Sequence, residues 1–224
     1  MHLVMISCTP RAIKASNTAK ILEKFKEGYE SFGNTTETFY LADKKSWDQI
    51  RMSYYENSDI LFALPLFVEC IPGIMMEFLE SLDYDRIFDI PKKKVAFLVQ
   101  GGFAEASQLR CCEKYLKMLP AYLNAEHRGT LIKGDMFGVS IMQGNTREKM
   151  IAPFVEMGRL FAKEGHFDEA KVSEFAKPEY FSKGVIAIST IFSPVQKLMM
   201  QGMAKKLGCK GSLNAKPYQR YVSD

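Results

Sequence analysis

The sequence is poor in the residues that build metal and disulfide sites. Its three histidines, His2, His127 and His166, lie far apart, which argues against a metal centre built on them. The five cysteines, Cys8, Cys70, Cys111, Cys112 and Cys209, form an odd set with two adjacent members and no Cys-x-x-Cys spacing. Such a set supports neither a disulfide framework nor a zinc or iron–sulfur site, and reads as reduced thiols of a cytoplasmic protein. The chain also lacks Gly-x-Gly-x-x-Gly after its first apolar run, the Gly-x-x-x-x-Gly-Lys-[Ser/Thr] loop, and Gly-x-Ser-x-Gly. Those absences remove the dinucleotide-binding Rossmann domain, the P-loop nucleotidase and the α/β hydrolase.

Long apolar runs are missing too. His2 to Ile6 is too short for the core of a secretory signal. Gly184 to Ala204 is apolar, but Ser189, Thr190, Ser193, Pro194, Gln196 and Lys197 interrupt it, so membrane insertion is not expected. Charge of one sign is scarce: 30 basic and 26 acidic side chains leave a net +4. Taken as spread along the chain, that balance is too mild for a nucleic-acid partner and slightly favours anionic small molecules. Hydrophobic residues at 47% of 224 suffice for one α/β domain with an extension.

What is present is a regular alternation of apolar runs and helical patterns. Leu3–Ser7 reads as a first strand, followed by a helix with Ile21, Leu22, Phe25, Tyr29 and Phe32 on one face and a stop at Gly33-Asn34. Thr36–Leu41 reads as a second strand, and Ser46-Trp47-Asp48-Gln49 has capping-box spacing for a second helix. Asp59–Leu64 and Lys94–Gln100 are near-continuous apolar runs, as strands buried on both faces require. Pro72 opens a helix over about Gly73–Leu82, and Leu109, Cys112, Leu116, Leu119 and Leu123 trace another. A fifth strand is placed within Gly129–Ile141, and a last helix starts at Asn145 and ends at Gly165. The predicted architecture is an α/β fold: five parallel strands with helices on both faces over residues 1–167, then a C-terminal helical extension over 168–224. Val195, Leu198, Met199 and Gly202 share a helix face in that extension, which is too small to bury a core alone and is expected to pack on the domain or on a second subunit.

In open α/β sheets ligands bind beyond the carboxyl ends of the strands. After the first strand stand Thr9, Pro10 and Arg11, then Ser16, Asn17 and Thr18 at a helix start, with unpaired N–H groups and hydroxyls suited to a phosphate. After the third come Pro65, Leu66, Phe67 and Val68, and after the fourth Gly101, Gly102 and Phe103. Together these loops describe a site with a phosphate end and a planar, partly apolar end. Each has a plainer reading. Ser16 can merely cap a surface helix, Arg11 can be solvated, Phe67 and Phe103 can be packing residues, and Gly101-Gly102 can be a turn. Glu69 and Glu105 receive no role, and Cys8 and Cys70 read as buried spectator thiols, with a redox pair the alternative.

The motifs Thr9-Pro10-Arg11…Ser16-Asn17-Thr18, Pro65-Leu66-Phe67 with Ile71-Pro72, and Gly101-Gly102-Phe103 resemble those of the flavodoxin-like NAD(P)H-dependent FMN reductases, a family with quinone-reductase-like members. The likeness runs over roughly residues 1–165, and Ala215-Lys216-Pro217-Tyr218 is similar to the ending of some flavodoxin-family oxidoreductases. Cys8 stands where the family often has Gly, Phe67 replaces the usual Tyr, and Ala12–Ala15 lacks the common glycine.

The resemblance implies that Thr9, Arg11, Ser16, Asn17 and Thr18 hold the FMN phosphate. It implies that Pro65, Leu66, Phe67 and Val68 contact the ring and ribityl chain, and that Gly101, Gly102 and Phe103 offer N–H groups to the pyrimidine edge. It further implies an NADH- or NADPH-dependent oxidoreductase with a small electron acceptor (flavin, quinone or similar), assembled as a homodimer or higher homo-oligomer. No catalytic acid or base is required for hydride transfer. Two alternatives stand beside it: a non-enzymatic flavodoxin-type electron carrier, and a flavin-free scaffold acting in protein binding.

Overall fold

The central apolar runs form β1 (His2–Ser7), β3 (Asp59–Pro65) and β4 (Lys93–Gln100) in a computed structural model that describes residues 1–206, 208–211 and 214–216. These strands are buried almost end to end, as strands covered on both faces must be. β2 (Thr35–Tyr40) and β5 (Ala125–Lys133) take the edges and carry the more polar sequences. All neighbouring pairs are parallel, in the order β2-β1-β3-β4-β5. The connection leaving β1 runs to β2 on one side and the connection leaving β3 runs to β4 on the other. The loops therefore diverge above β1 and β3 and leave a crevice there.

Helices cover both faces of this sheet. They are α1 (Asn17–Glu30), α2 (Trp47–Glu56), α3 (Gly73–Glu80), α4 (Tyr84–Asp89), α5 (Arg110–Met118), α6 (Gly138–Ile141), α7 (Gly144–Ile151), α8 (Pro153–Glu164) and α9 (Glu169–Ala176). α1 and α8 pack at glycine contacts. A Cβ on Gly28 would stand 1.8 Å from Val155 O, and one on Gly158 would stand 2.1 Å from Phe25 O. Trp47 Nε1 donates to Leu41 O at 2.9 Å and its ring meets Phe78 edge-on, which fixes α2 beside α3.

Several expectations shift. The fifth strand begins at Ala125 rather than within Gly129–Ile141, because an edge strand tolerates Glu126, His127 and Arg128, and Gly138–Ile141 is helical. Register slips between Val95 and Phe97, which pair with His127 and Thr130. Gly129, at φ +92°, occupies this bulge, where a Cβ would meet Phe167 at 2.7 Å. The expected capping box at Ser46 does not form; Ser46 Oγ donates to Asp43 O instead. The helix read from Asn145 starts at Gly144 and divides at Ala152, where Pro153 opens a new first turn.

The chain divides into two compact units, Met1–Tyr180 and Phe181–Asp224. Residues 168–180, grouped with the extension by sequence, lie in the first. There Lys133 Nζ donates to Phe175 O at 2.7 Å, and Arg110 pairs with Glu179 at 2.8 Å. The second unit holds α10 (Lys183–Ile191) and α11 (Ser193–Lys206). Pro217-Tyr218 of the Ala215–Tyr218 motif lies outside the described residues. Among the described residues no helix is long and apolar enough to cross a membrane.

Candidate functional site

The loop after β1 turns through a short 3-10 segment, Ile13–Ala15, into α1. Ser16 is the N-cap: its Oγ accepts from Ala19 N at 3.0 Å. This leaves the N–H groups of Asn17 and Thr18 without an intrahelical acceptor, at the positive end of a 14-residue helix. Thr9 is buried behind them and its Oγ1 accepts from Arg11 N at 3.3 Å. The Arg11 side chain is exposed and has no hydrogen-bond partner among the described residues. Burial lowers the Lys20 ammonium below its ordinary value, and Arg147 and Arg11 lower it further. Three cations therefore converge on the start of α1, the electrostatics an anion site needs.

Two expected phosphate donors have partners within the protein. The Asn17 side chain bridges to the segment after β5, donating to Met136 O and accepting from Ser140 Oγ. Thr18 Oγ1 accepts from Gln100 Nε2 at 3.3 Å, which leaves its own O–H to donate.

Beyond β3 the chain makes a two-residue reversal. Phe67 N donates to Cys70 O at 3.2 Å and Cys70 N to Phe67 O at 3.0 Å. Val68 and Glu69 between them have φ +48° and +62°. A type I′ turn demands this and normally takes it from Asn or Gly. A β-branched residue there is strained, and strain of this kind concentrates at ligand sites. The turn lifts Phe67 to the rim, 41% exposed. Leu66 N donates to Gln100 O at 2.8 Å, which ties the loop after β3 to the end of β4.

Beyond β4, Gly101 N donates to Lys133 O, Met136 N to Gly101 O, and Asp135 N to Phe103 O, all at 2.8–2.9 Å. Gly134 permits this approach, since a Cβ there would lie 2.4 Å from Phe103 O. The N–H groups of Gly102 and Phe103 have no backbone acceptor among the described residues and stand at an exposed rim.

These loops enclose a cleft of about 180 Å³ lined by Thr9, Arg11, Asn17, Thr18, Pro65, Leu66, Phe67, Gln100, Gly102 and Phe137. Eight of the twelve expected site residues line it. Ser16, the helix cap, and Gly101 are buried and do not line it, and Val68 and Phe103 are exposed to solvent. Gln100, Phe137, Lys20 and Arg147 were not anticipated. Cys8 is fully buried, its thiol donates to Ile6 O, and burial pushes its pKa well up, which makes it a spectator. Cys70, expected buried, is exposed in the turn.

A larger groove, about 820 Å³, runs along the β5 edge among Arg110, Lys117, Glu126, His166 and Glu169. Its charges are of both signs and it lies away from the diverging loops. The smaller cleft sits where the topology places ligands, and it has the uncommitted N–H groups and the cations.

No family model and no curated protein matches the sequence. Solved structures do match in shape. An NADH:FMN oxidoreductase in its apo form is 14% identical, covers 76% of this chain and 92% of its own, at a TM-score of 0.54. An FMN-dependent NADH-azoreductase from Bacillus anthracis str. Ames Ancestor, in complex with FMN, is 12% identical, with coverages of 73% and 98% and a TM-score of 0.52. An NADPH-quinone reductase from P. pentosaceus is 13% identical, with coverages of 70% and 98% and a TM-score of 0.52. At these identities the likeness establishes the fold. It is the flavodoxin-like α/β fold, with about a quarter of this chain outside it.

Proposed function

We propose that the chain is an FMN-dependent oxidoreductase that passes a hydride from NADH or NADPH through bound FMN to a small acceptor. The observation that carries this reading is the pairing of two ends in one crevice. Arg11, Lys20, Arg147 and the α1 N–H groups gather at one end. The unpaired Gly102 and Phe103 N–H groups and the exposed Phe67 ring stand at the other. That donor set fits a flavin mononucleotide: a dianion at the cations, a flat ring along Pro65–Phe67, and acceptor atoms facing the glycine loop. The names of the similar structures point the same way.

FMN, when bound, supplies the hydride chemistry. The chain's own residues bind and orient. Thr9, Arg11 and Thr18 with the helix N–H groups hold the phosphate, Pro65, Leu66 and Phe67 bound the ring, and Gly102 and Phe103 polarise its pyrimidine edge. The cleft, about 180 Å³, would take the phosphate and ribityl end of the group. Residues 1–180, which hold the cleft, are close to neutral with 23 basic and 25 acidic side chains, and lack the strong acidity with which an electron carrier docks on basic partners.

Purified protein, or apoprotein mixed with FMN, is expected to show flavin absorbance that bleaches on anaerobic addition of NADH or NADPH. A protein that takes up no FMN refutes the flavin reading. One that binds FMN and stays oxidised with both nucleotides refutes the enzyme and leaves the carrier. Arg11→Ala is expected to weaken FMN by about 1.5 kcal/mol, the low end for a charged hydrogen bond because Arg11 is exposed.

A further inference from the structure

The net charge of the chain is not evenly spread, although its small total suggests so. Residues 181–224 carry seven lysines and arginines against one acid, Asp224, a formal +6. The first 180 residues then hold 23 basic and 25 acidic side chains, a formal −2. No Asp or Glu occurs between residues 181 and 223. Lys183, Lys197, Lys205, Lys210 and Lys216 are all exposed, and none forms an ion pair among the described residues.

The same unit exposes an unusual amount of apolar surface. Every residue from 181 to 200 is exposed. Ile191 is 73% exposed, Leu198 72% and Met199 66%, with Ile186, Ile188 and Phe192 each above half. Scattered exposed apolar residues are ordinary, but a contiguous run marks an interaction surface. α10 and α11 are joined by Phe192 alone, whose N–H donates to Ile188 O and whose carbonyl accepts from Gln196 N. At 9 and 14 residues the helices are about 14 and 21 Å long. Neither spans the roughly 30 Å of a bilayer core.

We propose that Lys183–Lys216 is a peripheral membrane-binding element that lays its isoleucines, leucine and methionines into the headgroup boundary of an anionic lipid bilayer. α10 is a short apolar helix behind Lys183, and α11 sets Lys197, Lys205 and Lys206 among Leu and Met, with no acid in either. Lysines and apolar residues combined in this way are the composition of interfacial helices on anionic lipid. Charge complementarity selects this occupant over the others. A second copy would set one +6 surface against another. A nucleic-acid strand would draw the lysines and leave Ile191, Leu198 and Met199 in water. The inference is independent of the flavin reading.

Flotation of the full-length protein with vesicles of phosphatidylcholine, with and without phosphatidylserine, tests it. Binding is expected on the phosphatidylserine vesicles and not on phosphatidylcholine alone, and is expected to fall as salt rises from about 0.05 to 0.5 M. Lys205→Gln and Lys210→Gln should each weaken it about fivefold. Ile191→Asp with Leu198→Asp should abolish it. Fluorescence of Trp47, the chain's single tryptophan, buried in the first unit, should be unchanged in every variant and so reports that the fold is kept. Absence of flotation overturns the proposal, as does equal flotation on neutral vesicles. A stable dimer that Leu198→Asp splits overturns it in favour of a second copy.

Discussion

Asn17 accepts from Ser140 Oγ at 2.7 Å and donates to Met136 O at 2.9 Å, so a side chain at the mouth of the cleft serves as a strut to the segment after β5. Those partners lie 123 and 119 residues away in sequence. Asn17→Ala removes both bonds and leaves Met136 O with the Val139 N–H, at 3.3 Å, as its one donor among the described residues. The expected cost in urea unfolding is about 1–2 kcal/mol. FMN affinity should fall only about fivefold, through displacement of Phe137 and the glycine loop, a loss of about 1 kcal/mol. A loss of about a hundredfold or more with stability unchanged would show instead that Asn17 holds the ligand directly.

The reversal at Phe67–Cys70 stores strain that substitution can release. Val68 and Glu69 both hold positive φ, which costs non-glycine residues about 1 kcal/mol or more each. Val68→Asn together with Glu69→Gly installs the pair that a type I′ turn prefers. The double variant should be more stable by about 1–2 kcal/mol in thermal or urea unfolding. Val68 is almost fully exposed, so no packing is lost to offset the gain. An unchanged or lowered stability would mean that this turn is not strained.

How much of this could be read beforehand follows from where each signal resides. β1, β3 and β4 were legible because burial on both faces demands uninterrupted apolar runs, and Leu61–Leu64 and Val95–Val99 are such runs. β5 was misplaced because an edge strand needs no such run and Glu126-His127-Arg128 disguises its first half. Thr9–Thr18 was legible because hydroxyls just before a helix have one physical use in common, the satisfaction of unpaired N–H groups and anions. Val68-Glu69 has neither Gly nor Asn, so nothing local announced the turn. Gln100 reads as an ordinary strand residue until β4 sets it against Thr18. Arg147 and Phe137 reach the site only through the sheet topology, more than a hundred residues after Arg11.

The α1–α8 contact gives a prediction of opposite sign. A Cβ on Gly158 would lie 2.1 Å from Phe25 O and 2.9 Å from Tyr29 N, both backbone atoms that no rotamer change can move aside. Gly158→Ala must therefore push α8 off α1 and disturb Phe25, Tyr29 and Phe161, whose rings pack together there. In an exposed helix the same change would stabilise by about 1 kcal/mol. Here a loss of about 3 kcal/mol or more is expected, seen as a lowered urea midpoint. A neutral result would show that the two helices do not approach this closely.

Lys93 makes stability depend on alkaline pH. Its side chain is buried, with Nζ donating to Asn57 O at 2.7 Å and Tyr55 O at 3.0 Å. Burial, then repulsion from Arg86, pushes its pKa down from 10.5 to about 8. Between those two pH values the unfolded chain keeps a proton that the folded chain has released. Stability from this group therefore rises with pH across that window and is flat below it. Lys93→Met abolishes the titration. The two carbonyl bonds favour the ammonium and offset part of the desolvation, so the slope should be gentler than burial alone would give. The stability of the wild type relative to Lys93→Met is expected to increase by about 1 kcal/mol between pH 7.5 and 9.5, measured by urea unfolding at each pH. A difference that stays constant across the window would place the folded-state pKa at its ordinary value, and would mean that the two carbonyls fully compensate the burial of the charge.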